Sequence, residues 1–180
     1  MCIRDSKNTV QSETPAGGNG LSADEPENNE SVIGDNADTS KDVPSEVYMT
    51  SEVTPEGLIA VYEALNASPT GKIAVKLSTG EPGSNYLRTD LIGDFVQSFQ
   101  NPTIVECNTA YGGSRANTAM HYQVARDHGY TDIAEVDIMD EDGSMVLPVS
   151  GGDNLTENYV GSHFADYDYY IILSHFKGHA

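Results

Sequence analysis

Positive charge is what this sequence has least of. Nine Lys and Arg stand against 28 Asp and Glu, a formal net charge of -19. A chain so short of cations cannot displace the counterions of a phosphate backbone, so a nucleic-acid-binding surface is excluded. Lys72, Lys76, Arg88 and Arg115 still leave room for one local basic patch. Cysteine is almost as scarce. Cys2 and Cys107 alone are too few for a four-thiolate cluster or a Cys-rich zinc site, and their separation gives no disulfide framework. Cys107 falls in an apolar run and reads as a buried thiol. No apolar run is long enough to cross a bilayer, and Met1–Ser6 lacks the apolar centre of a signal peptide.

Large apolar side chains are few over residues 1–45, where Gly, Ser, Thr, Asn, Pro, Asp and Glu dominate. Such a composition buries too little surface to offset the entropy of ordering, and the segment reads as a disordered acidic tail or tether. Its first six residues resemble an adapter-derived leader and are given no structural weight. Residues 46–180 remain, enough for a core.

That remainder alternates helical and strand periodicities. Val47-Tyr48-Met49 reads as a short first strand. Thr54-Pro55-Glu56 is an N-cap, a Pro at the first helical position and an acid in the first turn, followed by Leu58, Ile59, Tyr62 and Leu65 on one face. Lys72–Leu77 is a strand. Thr89 or Asp90 caps a second helix carrying Leu91, Ile92, Phe95, Val96 and Phe99, Pro102 breaks it, and Thr103–Cys107 is the next strand. A third helix over Thr118–His128 stops at Gly129, and Ile133–Met139 is a further strand. Asp142-Gly143 predicts a hairpin turn between that strand and Met145–Leu147, and Gly151-Gly152-Asp153-Asn154 a second turn. Tyr169–Leu173 is a central strand. Together these predict an α/β fold, an open and mostly parallel sheet with flanking helices and a β-hairpin insertion, truncated behind the last strand.

In such sheets ligands bind beyond the carboxyl ends of the strands. Three polar loops fall there: Lys76 to Tyr86 with Ser78, Thr79 and Gly80; Glu106 to Arg115 with Asn108, Gly112 and Gly113; and Ser174 to His179. Neither the P-loop nor the GxGxxG pattern occurs. Gly112, Gly113 and Arg115 make the better anion site, with a flexible backbone, a forked donor and a helix start behind them. Lys76, Glu106, His175, Lys177 and His179 are candidates for catalysis at the same rim. Glu106 and Cys107 point to opposite sheet faces while the strand lasts. His175 and His179 have the spacing of a metal-binding pair, but Gly178 weakens the helix this needs and no third ligand is evident, so no metal site is assigned. His121 reads as a surface or packing residue, and His163 is placed to approach His175. Asp140-Glu141-Asp142 lacks the spaced ligands of a calcium loop and reads as a charged turn.

The strings KIAVKLSTGEPGSNYLRTDLI, TIVECNTAYGGSRANT, ENYVGSHFADYD and IILSHFKGHA, taken in order, resemble the amino-terminal part of the domain of unknown function 362 family, described as uncharacterised iron-sulfur centre proteins. The resemblance implies a domain continuing past the HFKGH block and, in full-length relatives, an iron-sulfur cluster that two cysteines cannot supply here. It also implies, for members with a front rich in Ser, Thr and Glu, export as a lipoprotein at the bacterial cell envelope. Membrane contact is then only through a lipid anchor not present in this sequence, and the location is cytoplasmic if no export signal preceded it.

Two functions follow as expectations. One is a redox-related or otherwise catalytic domain whose strand-end crevice is lined by Lys76, Glu106, His175, Lys177 and His179, with Gly112, Gly113 and Arg115 holding an anionic group. The other is a surface-tethered, non-enzymatic binding protein for a small anionic ligand, which the acidic tether and the incomplete catalytic set favour.

Overall fold

The computed structural model describes residues 3–7 and 46–176. Strand β1 (Ile3–Lys7) is followed by helix α1 (Pro55–Ala64), β2 (Ile73–Lys76), α2 (Thr89–Gln97), β3 (Thr103–Glu106), α3 (Thr118–Asp127) and β4 (Glu135–Ile138). The chain then forms β5 (Ser144–Pro148), β6 (Glu157–Gly161), a 3-10 segment over Ser162–Asp166, and β7 (Tyr169–Leu173). The main sheet has the order β1-β7-β2-β3-β4, and β5 and β6 make a separate antiparallel pair. Strands β7, β2, β3 and β4 are parallel, with β1 antiparallel at the edge of β7. The α/β fold with its hairpin insertion is therefore as the periodicities predict.

The connectivity fixes where a ligand can enter. From β2 the chain steps outward to β3 and β4, then returns to the other side of β2 as β7. The order reverses between β2 and β7, and at such a switch point the loops leaving two neighbouring strands diverge and open a crevice at their carboxyl ends.

Strand alternation divides the core. Ile73, Val75 and Leu77 from the β2 segment, Ile104 from β3, and Tyr169, Ile171 and Leu173 from β7 join Leu58 of α1, Ile92, Phe95 and Val96 of α2 and Ala125 of α3 in one buried cluster. The intervening residues Ala74, Val105 and Tyr170 pack with Met139, Tyr167, Phe164 and Cys107 in a second cluster, as a period of two requires. Tyr62, Phe95 and Phe99 meet edge to face at 5.1 to 5.4 Å between ring centroids, the arrangement that ring quadrupoles favour. Each large apolar side chain fully buried here stabilises the fold by about 1.5–3 kcal/mol.

The start of α1 and the stop of α3 hold in detail. Thr54 accepts from the Gly57 N–H at 3.1 Å with Pro55 at the first position, and Gly129 stands just past α3 with φ 78°. The cap of α2 differs: Arg88 is the N-cap without a side-chain bond, and Thr89 is already helical. Val47 and Met49 are 78 and 85% exposed and belong to no strand. The hairpin also differs. β5 pairs with β6, Val146 opposite Tyr159, whereas the turn at Asp142-Gly143 carries the chain out of the main sheet. Of the segment read as a tail, only Ile3–Lys7 lies among the described residues, and it adds to the open edge of β7 rather than remaining unpaired. Residues 8–45 lie outside them.

Hairpin and sheet are joined by the 3-10 segment. Its His163 N–H donates to the Met139 carbonyl at 3.1 Å, and the Ser162 N–H to the Gly143 carbonyl at 3.0 Å. The His163 imidazole lies between Asp137 and Asp142, whose hydrogen bonds push its pKa up to about 9. It does not pair with His175.

Candidate functional site

β3 ends on Glu106, a residue 5% exposed whose carboxylate cannot stay charged there without partners. It has four. Lys76 Nζ, from the end of β2, donates to Oε2 at 2.9 Å, and Arg115 Nη1 to Oε1 at 3.1 Å. The backbone N–H groups of Thr79 and Cys107 donate at 3.2 and 3.3 Å. Lys76 also donates to the Leu77 carbonyl at 3.0 Å. Opposite sheet faces do not keep Lys76 and Glu106 apart, because both stand at strand ends where a long side chain can reach across.

Arg115 is itself buried and spreads its fork over two loops and the end of β3. Nε donates to Glu81 Oε1 at 3.1 Å, Nη1 to Ser78 Oγ at 3.2 Å as well as to Glu106, and Nη2 to the Tyr111 hydroxyl at 2.9 Å. Glu81 accepts in addition from the Ser114 N–H at 2.8 Å. Partial burial pushes the Glu81 carboxyl up, but the Ser114 N–H and the Arg115 guanidinium outweigh it and hold its pKa below the ordinary value. Gly113 permits this approach. A Cβ there would meet Glu81 Oε1 at 2.9 Å, and its φ is 140°.

The loop after β2 is anchored through Thr79, which is fully buried. Its hydroxyl lies 2.7 Å from His121 Nε2 and its carbonyl 2.8 Å from His128 Nδ1. His121 is thus a buried hydrogen-bonding residue of the site, and burial lowers its pKa below the usual value. Its Nδ1 has no partner among the described residues. His128 stacks on Tyr86 with ring centroids 3.7 Å apart. Asn108 turns away from this group: its N–H donates to Asp140 Oδ1 at 2.8 Å and its amide to Thr118 Oγ1 at 2.9 Å.

Outside this network, at the carboxyl ends of β2, β3 and β7, lies an open crevice with a cavity volume of about 110 Å³. Ser78, Gly80, Glu81, Ser84, Asn85 and Tyr86 line it from the first loop, Tyr111 and Arg115 from the second, and His175 from the third. A Cβ on Gly80, whose φ is 74°, would meet Tyr86 at 2.7 Å, so only glycine lets the first loop fold over in this way. Four predicted residues therefore reach the crevice: Ser78, Gly80, Arg115 and His175. Lys76, Glu106 and Thr79 support it without lining it. Gly112 and Gly113 belong to the second loop but are not lining residues, and Lys177 and His179 lie outside the described residues. Glu81, Tyr86 and Tyr111 were not singled out in the sequence. The available signal was their position, in the same two polar loops. A second cavity, lined by Val53, Leu58, Val61 and Leu91 with Thr50, Glu52 and Thr54, is mostly apolar and lies away from the strand ends.

Glu81 and Glu106 are balanced by Arg115 and Lys76, the Ser84 hydroxyl donates to the Glu81 carbonyl at 2.7 Å, and Asn85 and His175 add polar groups to the lining. A family model described as a domain of unknown function (DUF362) matches residues 73–180, and all the lining residues fall inside that range. Searches of curated proteins and of solved structures found no match.

Proposed function

The chain belongs to the domain of unknown function 362 family, and on that footing we propose that it is a binding domain for a small polar ligand carrying a carboxylate or phosphate. The observation that supports this most is the convergence of three strand-end loops on one crevice at the β2/β7 switch point. Its polar lining stands at the place where open α/β sheets receive ligands. Arg115 is held rigid by two carboxylates and a tyrosine, so presenting its remaining donor costs little ordering entropy. Binding is favoured over a redox or other catalytic role because Lys76 and Glu106 are committed to each other and do not line the crevice.

Thermal-shift measurements against inorganic phosphate and a series of small carboxylates test this reading. A ligand that binds only the folded chain raises its melting point by mass action. We expect a saturable rise for at least one compound, reduced in His175→Ala and in Ser84→Ala. No rise with any of them, or a rise unchanged in both variants, overturns the proposal. Consumption of the bound compound would instead establish catalysis.

A further inference from the structure

A second group of ligand-bearing side chains lies outside the crevice. Asp137 on β4, Glu141 in the turn that follows and His163 in the 3-10 segment each offer one ligand atom, and these atoms all lie within 4.8 Å of one another. The imidazole is oriented from both sides, with Nδ1 2.8 Å from Asp137 Oδ1 and Nε2 3.1 Å from Asp142 Oδ2. A carboxylate on the far nitrogen is the outer partner that fixes the tautomer and basicity of a metal-ligating histidine. Asp137 is oriented as well, because the Tyr167 hydroxyl donates to its Oδ2 at 2.7 Å and leaves Oδ1 for the ring. The charge does not balance. Three carboxylates, those of Asp137, Glu141 and Asp142, surround one imidazole, and among the described residues no Lys or Arg forms an ion pair with any of them.

We propose that Asp137, Glu141 and His163 form a site for a divalent transition-metal cation of the zinc class, with Asp142 orienting the histidine from behind. The donor set selects the cation. One imidazole nitrogen with two carboxylate oxygens suits zinc and its neighbours, whereas calcium takes six to eight oxygen ligands. Ligation replaces the proton shared between Nδ1 and Oδ1, so the imidazole binds in its neutral form. The three ligands bracket the hairpin, two of them before β5 and one after β6. Two strands alone are marginally stable in water. A cation held there staples β5 and β6 to the edge of the main sheet, and its binding energy becomes stability of that element.

Titration of the full chain with Co2+, read by its visible d–d absorption, tests the site, with Zn2+ and Ca2+ compared by thermal shift. The expected result is one saturable Co2+ site that Zn2+ displaces, and a melting point raised by Zn2+ but not by the same concentration of Ca2+. His163→Gln abolishes the Co2+ spectrum. Glu141→Gln, at an exposed position that leaves the fold intact, weakens it, and Asp142→Asn weakens binding about tenfold. His175 and His179 are present in every variant, so uptake by that pair shows as a spectrum that none of the substitutions changes. Such an unchanged spectrum, the absence of a saturable site in the wild-type chain, or equal stabilisation by Ca2+ overturns the proposal.

Discussion

Thr79 has no polar group to spare. Its N–H, hydroxyl and carbonyl are taken by Glu106, His121 and His128, and the loop that forms one wall of the crevice hangs from it. Thr79→Val keeps the shape and leaves the His121 ring buried without its bond. The expected cost is about 1–3 kcal/mol, read as a lower urea midpoint at unchanged m-value. Glu106→Gln removes the counter-ion of two cations at once, and breaking a buried pair from one side costs about 3–5 kcal/mol, measurable in the same way. Two groups with lowered pKa contribute to the acid limb of stability. The His121 pKa is depressed in the fold, so its contribution is complete above the ordinary value of 6.5 and is lost as pH falls towards the folded value. Glu81 is depressed too, and its contribution is lost as pH falls below 4.5. His121→Gln therefore flattens the pH dependence just below 6.5, and Glu81→Gln flattens it below 4.5, each checked by urea unfolding across pH. The residues that could carry polar chemistry were legible by type and by loop. Their partners were not, because Thr79 meets its histidines 42 and 49 positions away, and no local pattern encodes a contact at that range.

Elements with strong local chemistry were readable from the sequence: Thr54-Pro55 starts α1 and Gly129 stops α3 where cap geometry demands. The hairpin was harder. Asp142-Gly143 is a good turn, but a turn signal does not say which strand the following residues will pair with, and β5 found β6. Gly161 explains why this arrangement closes, since a Cβ there would meet the Met139 carbonyl carbon and oxygen at 2.5 Å. Gly161→Ala forces the end of β6 away from β4. Hydrogen exchange should then accelerate at the amides of residues 144–161, with β2, β3 and β7 still protected. Uniform acceleration across the chain would show instead that the hairpin and the sheet open together.

The whole molecule depends on one topological fact, the return of β7 to the far side of β2. Helix and strand alternation predicted a parallel sheet, and Tyr169–Leu173 was readable as a central strand from five consecutive apolar residues. Strand order was not legible, because periodicity carries no information about which neighbour a strand chooses. That order brings His175 beside the Ser78–Tyr86 loop and makes three separate polar stretches into one crevice. The excess of acid over base then acts at long range, repelling anions from most of the surface, so recognition rests on the short-range donors of the crevice. Backbone amide shift mapping during titration with inorganic phosphate and small carboxylates tests this most directly. The account predicts saturable shifts concentrated at Ser78 to Tyr86, Tyr111 to Arg115 and His175. Saturable shifts centred on any other part of the chain, or none with any of these compounds, would contradict it.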